Sequence, residues 1–502
     1  MQMPISLASL IPVANHRPWP RYEVDRATWE AIGASLGKGD GDLLALWGDR
    51  GAVHMGLRSA PELPAIVSLA VENGRFPSIG QYHPPAIRLE RAVTDLYGYI
   101  ATGAPDARPW LDHGAWRLRA PLGVAEPAPL RDPVDYAFQP VHGEGLHQIP
   151  VGPVHAGIIE PGHFRFTANG ETVARLEARL GYVHKGIDGL LTDVDCDKAA
   201  RIVARASGDS TVALSFAFAR ALEAAQSTEV PPRAQVIRAV MAELERMANH
   251  FGDIGAICND AAFALLHSHC GVFRERVLAA SEAVFGHRLL MDAIIPGGVR
   301  HDIGADGVRT LLALFDELAP HFDEVVRFYD ATPSLLDRTR TTGIVSRELV
   351  TRWAAGGHVG RASGRDFDAR RDLAYPPYDK MPFRVPVLEA GDVDARLWIR
   401  VHEIETSMGL LRQWLRALPD GPIQVGISNG GPSEGVAVTE AFRGDVLVWL
   451  RLSGEGRIAR CHVRDASWFQ WPLLEAAIEG NIVADFPLCN KSFNCTYAGH
   501  DI

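Results

Sequence analysis

The sequence predicts an α+β protein, with a small N-terminal α+β domain followed by a larger, mainly helical domain that carries short antiparallel strands. Three observations predict it. Val236, Val240, Leu244, Met247, Phe251 and Ile254 recur at three- and four-residue spacing, the period of a helix with one buried face. The stretches 436–441, 446–451 and 458–463 have the character of strands, the last two joined through Ser453-Gly454-Glu455-Gly456 as a hairpin. Between the two halves, Pro121, Pro127, Pro129, Pro133, Pro140 and Pro150 each remove a backbone donor and fix φ, so this stretch is expected to link rather than to form an element.

In chain order, a helix is expected from about 24 to 36, then strands at 43–47 and 52–58 around the turn Asp49-Arg50-Gly51. These belong to a first domain, 1–125, followed by a Pro-rich linker, 126–150, and a second domain, 151–502. From Glu171 onward helices are expected to dominate, at about 195–227, 260–286, 307–330 and 396–418, with Pro231-Pro232 opening the helix of the periodic apolar set. A last short helix is expected at 471–480. The sequence shows no internal repeat and no low-complexity tract.

At 502 residues, 47% apolar and 22% charged, the chain has ordinary globular composition. Fifty basic against 61 acidic residues leave a net charge of -11, and no dense Lys/Arg cluster appears, which argues against a nucleic-acid partner. The first twenty residues lack the basic and apolar regions of a signal peptide, and no apolar run reaches the roughly 18 residues of a membrane span. A cytoplasmic chain without direct membrane insertion is therefore expected. Six scattered cysteines (Cys196, Cys258, Cys270, Cys461, Cys489 and Cys495) suggest small buried side chains rather than a disulfide framework. His267-Ser268-His269-Cys270 invites a metal reading, but on a helix neighbours two apart diverge by about 200°, so none is expected there.

Several motifs then occur in one order. Tyr82-His83-Pro84-Pro85 and Glu90-Arg91-Ala92-Val93-Thr94-Asp95-Leu96-Tyr97-Gly98 lie in the first domain, with Pro105-Asp106 and Arg108 after them. In the second come Gly152-Pro153-Val154-His155, Glu160-Pro161-Gly162-His163-Phe164-Arg165 and Gly181-Tyr182-Val183-His184-Lys185-Gly186. Glu243-Leu244-Glu245-Arg246-Met247-Ala248-Asn249-His250, Glu440-Ala441-Phe442-Arg443-Gly444 and Asp485-Phe486-Pro487-Leu488-Cys489 complete the series. Over nearly its full length the chain resembles the large subunit of formate hydrogenlyase and hydrogenase-4 complexes, which is nickel-iron hydrogenase-like and fuses homologues of two peripheral-arm subunits of respiratory complex I.

The resemblance implies a nickel-iron site held by two CxxC pairs, and a CxxC occurs nowhere in the chain. Alignment on Gly208 puts Ala204 and Ser207 at the first pair, and counting from Asp485 puts Thr496 and Gly499 at the second. The expectation is no metal or other cofactor bound by this chain, with an iron-sulfur cluster in a partner subunit. Complex I relatives imply a quinone cavity. The quinone-contacting His position holds Ile159 and the Tyr position holds Asp193, so a quinone is possible without its usual contacts.

Arg443 corresponds to the arginine above the family's metal site, and an arginine of a surface hairpin is the alternative. Glu243 and His250, seven apart on one helix, fit either a buried proton path or a satisfied structural pair. His184, Lys185 and Asp188 carry the same two readings, Glu160 with His155 and His163 fits proton exchange or loop capping, and His155, His163, His184, Asp188 and Asp193 are the expected cavity residues. The expected assembly is an oxidoreductase complex on the inner face of the cytoplasmic membrane. It would include a small iron-sulfur subunit and antiporter-like membrane subunits, and would exchange electrons with a quinone-like or unknown acceptor without dihydrogen chemistry. A redox-inactive coupling subunit is the main alternative, and a hydrogenase catalytic subunit remains if the ligand alignment is wrong.

Overall fold

The computed structural model describes residues 7, 10–59, 64–116, 118–123, 135–155, 159–427 and 430–502. Near the N-terminus, apolar runs pair as a four-stranded sheet in the order Arg21–Val24, Ala65–Ala70, Ala52–Arg58, Asp42–Asp49. The helix Arg26–Lys38 starts where Asp25 accepts from the Thr28 N–H at 2.8 Å, and stops at Gly39, whose φ of 85° a side chain would oppose. The sequence expectations for this region hold to within two residues.

This sheet is tied to the second half of the chain. His16–Arg17 pairs in parallel with Glu434–Ala441, the first strand of the sheet that continues through Gly444–Leu452 and Ile458–Arg464. Arg21 donates to Glu434 at 2.7 Å, Arg451 to Asp49 at 2.6 Å and Arg365 to Asp42 at 2.9 Å. One apolar cluster runs from Trp29 and Phe76 through Phe164 to Trp471 and Phe486.

The helical part centres on Pro232–Asp260, packed between Ala264–Phe285 and Val393–Arg416. Its periodic Val240, Leu244, Met247 and Phe251 are all 0% exposed, each contributing about 1.5–3 kcal/mol of burial. Among the described residues no helix is long and apolar enough to cross a membrane.

Three differences from the sequence expectations shape the site. The stretch 195–227 is two helices, Cys196–Ala204 and Thr211–Ala225, because Ser207-Gly208-Asp209-Ser210 offers side-chain hydrogen bonds that compete with a helix. The part of the Pro-rich stretch at Leu146–Val151 is a strand, paired with His163–Asn169 and so with Thr172–Arg179 where helices were expected. Pro150 is tolerated there because the strand lies at the sheet edge. Beyond the helix Ser467–Ala477 lies another, Phe486–Phe493, closed by Asn494 at φ 50°. Pro487 in its first turn, where an N–H has no helical partner, is the sequence signal for this extra helix. Residues 126–134 of the expected linker lie outside the described residues.

Candidate functional site

The break between the two helices at 205–210, the hairpin at 441–444 and the segment after Phe486–Phe493 converge on a pocket of about 340 Å³. Its wall includes Ile159, Glu160, Lys185, Asp209, Arg443 and Lys491. Arg443 is its anchor. The guanidinium donates to Asp209 at 2.9 and 2.5 Å, to Ser210 Oγ at 3.0 Å and to the carbonyl of Asn494, and its plane lies 4.4 Å from the Phe442 ring. Burial would raise the Asp209 carboxyl, but the charge of Arg443 prevails and brings it to about 2. Arg443 is only 2% exposed, so it is a pocket residue and not a free hairpin arginine.

Of the four positions aligned with the family's thiolates, Ser207 and Thr496 line this pocket and Gly499 touches Thr496. Ser207 Oγ and Thr496 Oγ1 are 3.1 Å apart, one from each half of the ligand set, and Ser207 also donates to Asp209 at 2.8 Å. Ala204 is a buried methyl. At Gly499 an added Cβ would stand 2.6 Å from Thr496 Cγ2 and 3.3 Å from Asp465, so the space of the fourth ligand is filled by neighbours. Cys495, on the wall, has its thiol raised by burial, and Cys489 behind it is raised by burial to about 11 despite the opposing charge of Arg396. Soft thiolate donors are what a nickel-iron centre requires. Two hydroxyls, a methyl and a glycine do not fit it.

Glu160 lies on the pocket wall, its Oε2 accepting from the Ala498 N–H at 3.0 Å. Lys185 donates to the carbonyls of Arg205 and Ala206 at 3.0 and 3.1 Å, which ties its loop to the helix break. His155 stands behind the wall, its ring 6.3 Å from that of Tyr497, and its buried Nε2 has no partner among the described residues. His163 faces the Gly152 carbonyl at 3.2 Å, and burial lowers its pKa. His184 stacks on Trp116 and meets the Asp501 carbonyl at 3.0 Å, again with its pKa lowered by burial.

None of the five residues expected at the cavity, His155, His163, His184, Asp188 and Asp193, lines the pocket, and the last two lie apart from it. Asp188 is buried against Arg460 at 2.8 Å, and that charge offsets the burial that would raise it, leaving its carboxyl at about 2. Asp193 is on the surface with φ 56°, its side chain 81% exposed and paired with Arg457 at 2.8 Å. Neither lines the pocket. Ile159, at the quinone-His position, does line it.

Glu243 and His250 share a helix face but not a direct contact. Glu243 accepts from Arg246 at 3.1 Å, Arg370 at 3.0 Å, and Tyr378 and Ser407 both at 2.6 Å. His250 Nε2 is 2.7 Å from Glu403. Asp209 and the Asp253–Arg400 pair belong to the site without having been singled out by any motif. Arg400 donates to Asp253 at 2.9 Å, and Asn494 donates to Asp253 at 2.8 Å, so a polar chain reaches the pocket from below. Ser-Gly-Asp-Ser inside an apparent helix is the signal that points to Asp209. Five of the six cysteines are buried and all are free, and among the described residues no group of His, Cys, Asp and Glu is arranged to hold a metal ion.

The chain is similar to several known proteins. The family model of the respiratory-chain NADH dehydrogenase 49 kDa subunit matches residues 265–430 and 426–501. Carbon monoxide-induced hydrogenase of Rhodospirillum rubrum is 34% identical over 350 residues, 69% of this chain and 97% of that protein. Formate hydrogenlyase subunit 5 of Escherichia coli is 30% identical over 445 residues, 87% of this chain and 78% of its own length. An NADH-quinone oxidoreductase subunit of Roseiflexus is 31% identical over 67% of this chain and 94% of its own. In fold the chain matches a subunit of an archaeal membrane-bound sulfane sulfur reductase, with a TM-score of 0.68 over 72% of this chain and 99% of that one at 24% identity. The chain belongs to the family of hydrogenase-like large subunits shared by formate hydrogenlyase, hydrogenase-4 and the complex I peripheral arm.

Proposed function

We propose that this chain is the large subunit of a membrane-associated redox complex of the hydrogenase-4 or complex I type, passing electrons between a partner iron-sulfur subunit and a quinone-like or other acceptor. The observation that carries this reading is the pocket itself. The thiolate positions are closed by the Ser207–Thr496 hydrogen bond, yet Arg443, Asp209, Glu160, Lys185 and Lys491 keep the cavity polar. A cation fixed at a pocket wall stabilises negative charge developing on a small reduced ligand. Dihydrogen chemistry lacks its ligand set here. Relatives named as subunits of formate hydrogenlyase and of NADH-quinone oxidoreductase support a place in such a multi-subunit complex; a cytoplasmic-facing arm above antiporter-like membrane subunits is part of the proposal.

The test is nickel and iron per chain, by elemental analysis of the complex isolated anaerobically with this subunit tagged. Iron without nickel is expected. Stoichiometric nickel overturns the reading. A second reading, a coupling subunit without redox chemistry, is favoured by one observation: Arg443 is already neutralised by Asp209. It predicts neither metal, and turnover unchanged by substitution at Arg443.

A further inference from the structure

Seven ionisable side chains away from the pocket lining form one buried cluster. Pro232–Asp260 contributes Glu243 and Arg246, Val393–Arg416 contributes Glu403, and Gly357–Ala362 contributes Arg361. Arg370 and its N-cap Asp368 come from Ala369–Asp372, and Glu440 from strand Glu434–Ala441. None of the seven is more than 1% exposed. Arg370 binds Asp368 at 2.6 Å and Glu243 at 3.0 Å, and Arg246 binds Glu243 at 3.1 Å and Glu403 at 3.4 Å. Arg361 binds Glu403, Glu440 at 2.9 Å and Asp368 at 3.4 Å. Four carboxylates thus face three guanidiniums, which leaves one negative charge in excess where water cannot reach. An unbalanced charge in such surroundings is removed by a proton.

The charged neighbours do not supply the missing cation. Asp445, opposite Glu440 on the ladder, is paired with Arg464 at 2.5 Å, Arg400 with Asp253 at 2.9 Å and Glu223 with Arg238 at 2.6 Å. Arg443 is paired with Asp209 at 2.5 Å. Arg220, part-exposed, donates to the Val438 carbonyl at 2.5 Å and lies 4.0 Å from the Tyr375 ring rather than against a carboxylate. His250 touches Glu403 and His358 lies 3.0 Å from Arg400, and burial keeps both imidazoles below their ordinary pKa. The tyrosines act as partners, Tyr378 donating to Glu243 and Tyr375 accepting from the Glu440 N–H.

The contacts also say which carboxylate takes the proton. Glu243 has four donors, Glu403 has Arg361 and His250, and Asp368 has Arg370 in a double contact at 3.0 and 2.6 Å. Glu440 has one guanidinium N–H, from Arg361 at 2.9 Å, and one backbone N–H, from Ala369 at 2.9 Å, and Arg361 Nη1 also faces Asp368. We propose that Glu440 is a buried proton-binding site, whose carboxyl carries the one proton that balances four carboxylates against three guanidiniums. Burial, with Asp368 next, raises this carboxyl to about 7, in agreement with that count. Arg246 grips the carbonyls of Glu440 and Ala441 at 2.9 and 3.1 Å, on the strand that leads into the hairpin of Arg443. A proton gained or lost at Glu440 therefore changes the charge of the cluster that holds that hairpin, whatever the acceptor in the pocket.

The experiment is infrared difference spectroscopy of the tagged complex against pH, with thermal unfolding of the same samples. A protonated-carboxyl C=O band that shifts in deuterium oxide and titrates out with a midpoint near 7 is expected in the parent chain and is lost in Glu440→Gln. Glu440→Gln should leave Tm at neutral pH nearly unchanged, whereas Glu403→Gln lowers it, because Glu403 is needed as an anion. A band that survives in Glu440→Gln, a parent chain without the band at acid pH, or a Glu440→Gln chain as unstable as Glu403→Gln overturns the proposal.

Discussion

Replacement of Arg443 by Met separates chemistry at the pocket from the stability of its walls. The substitution removes both contacts to Asp209, those to Ser210 and the Asn494 carbonyl, and the stacking on Phe442. What is left behind decides the magnitude. The Asp209 side chain is 41% exposed, so water replaces the guanidinium, and the cost is about 1–2 kcal/mol rather than the ~3–5 kcal/mol of an ion stranded in a sealed core. Glu243 is the opposite case, since four donors and 0% exposure mean that Glu243→Gln disturbs folding together with any function. If Arg443 stabilises charge on the reduced acceptor, losing a charge-assisted contact of about 1.5–3 kcal/mol slows turnover by about 10- to 100-fold. The assay is electron transfer by the purified complex from a reduced dye to a quinone analogue, with assembly checked on a native gel. An assembled complex with parental turnover refutes a role for Arg443 in the chemistry. Arg443→Lys, which keeps the charge but cannot span Asp209 and Asn494, should fall between.

Two further outcomes follow from the same geometry. Glu245 accepts from the N–H groups of Val212 and Ala213 at 2.7 and 3.1 Å, yet burial raises its carboxyl to about 8, so the folded chain holds a proton that the unfolded chain releases near its ordinary value of about 4.3. Its stabilising share is full below that value and declines as pH rises towards 8; Glu245→Gln should flatten this part of the Tm-against-pH curve, and an unchanged slope counts against it. Gly499→Ala places a methyl 2.6 Å from Thr496 Cγ2 and should lower stability by about 1–3 kcal/mol in denaturant unfolding, whereas a neutral result would mean that the fourth ligand space is open after all.

What the sequence made legible was whatever depends on short-range pattern. The period of Val240, Leu244, Met247 and Phe251 located the central helix, and turn residues located the hairpins around 50 and 454. Ser207 and Thr496, each placed by counting from a separate motif, lie 289 residues apart in sequence and meet at 3.1 Å. Counting by spacing failed at Asp193, which a left-handed turn and Arg457 hold on the surface. The strand 163–169 is masked by the helix-rich sequence that follows it, although Asn169-Gly170 marks its turn. Asp209 carried only the local signal of its Ser-Gly-Asp-Ser break, and Asp253 carried none, because long-range partners define both. An isolated aspartate looks the same in sequence whether it faces water or Arg443.

The same contacts explain how the pocket keeps its shape. The turn after Cys196–Ala204 and the segment after Phe486–Phe493 have to be held together across it. Here protein groups make that joint: Arg443 spans Asp209 on one side and the Asn494 carbonyl on the other, Ser207 meets Thr496, and Asn494 reaches Asp253. Each contact crosses between segments far apart in sequence, so each takes over part of a cross-link. A joint of hydrogen bonds is weaker than one of metal–thiolate bonds, and it opens at half-exposed Asp209 first. Ligand binding to this pocket is therefore expected to order the 205–210 turn and the 494–498 segment together, which slowed amide exchange of both segments in the presence of a quinone analogue would show, and exchange slowed in one alone would contradict.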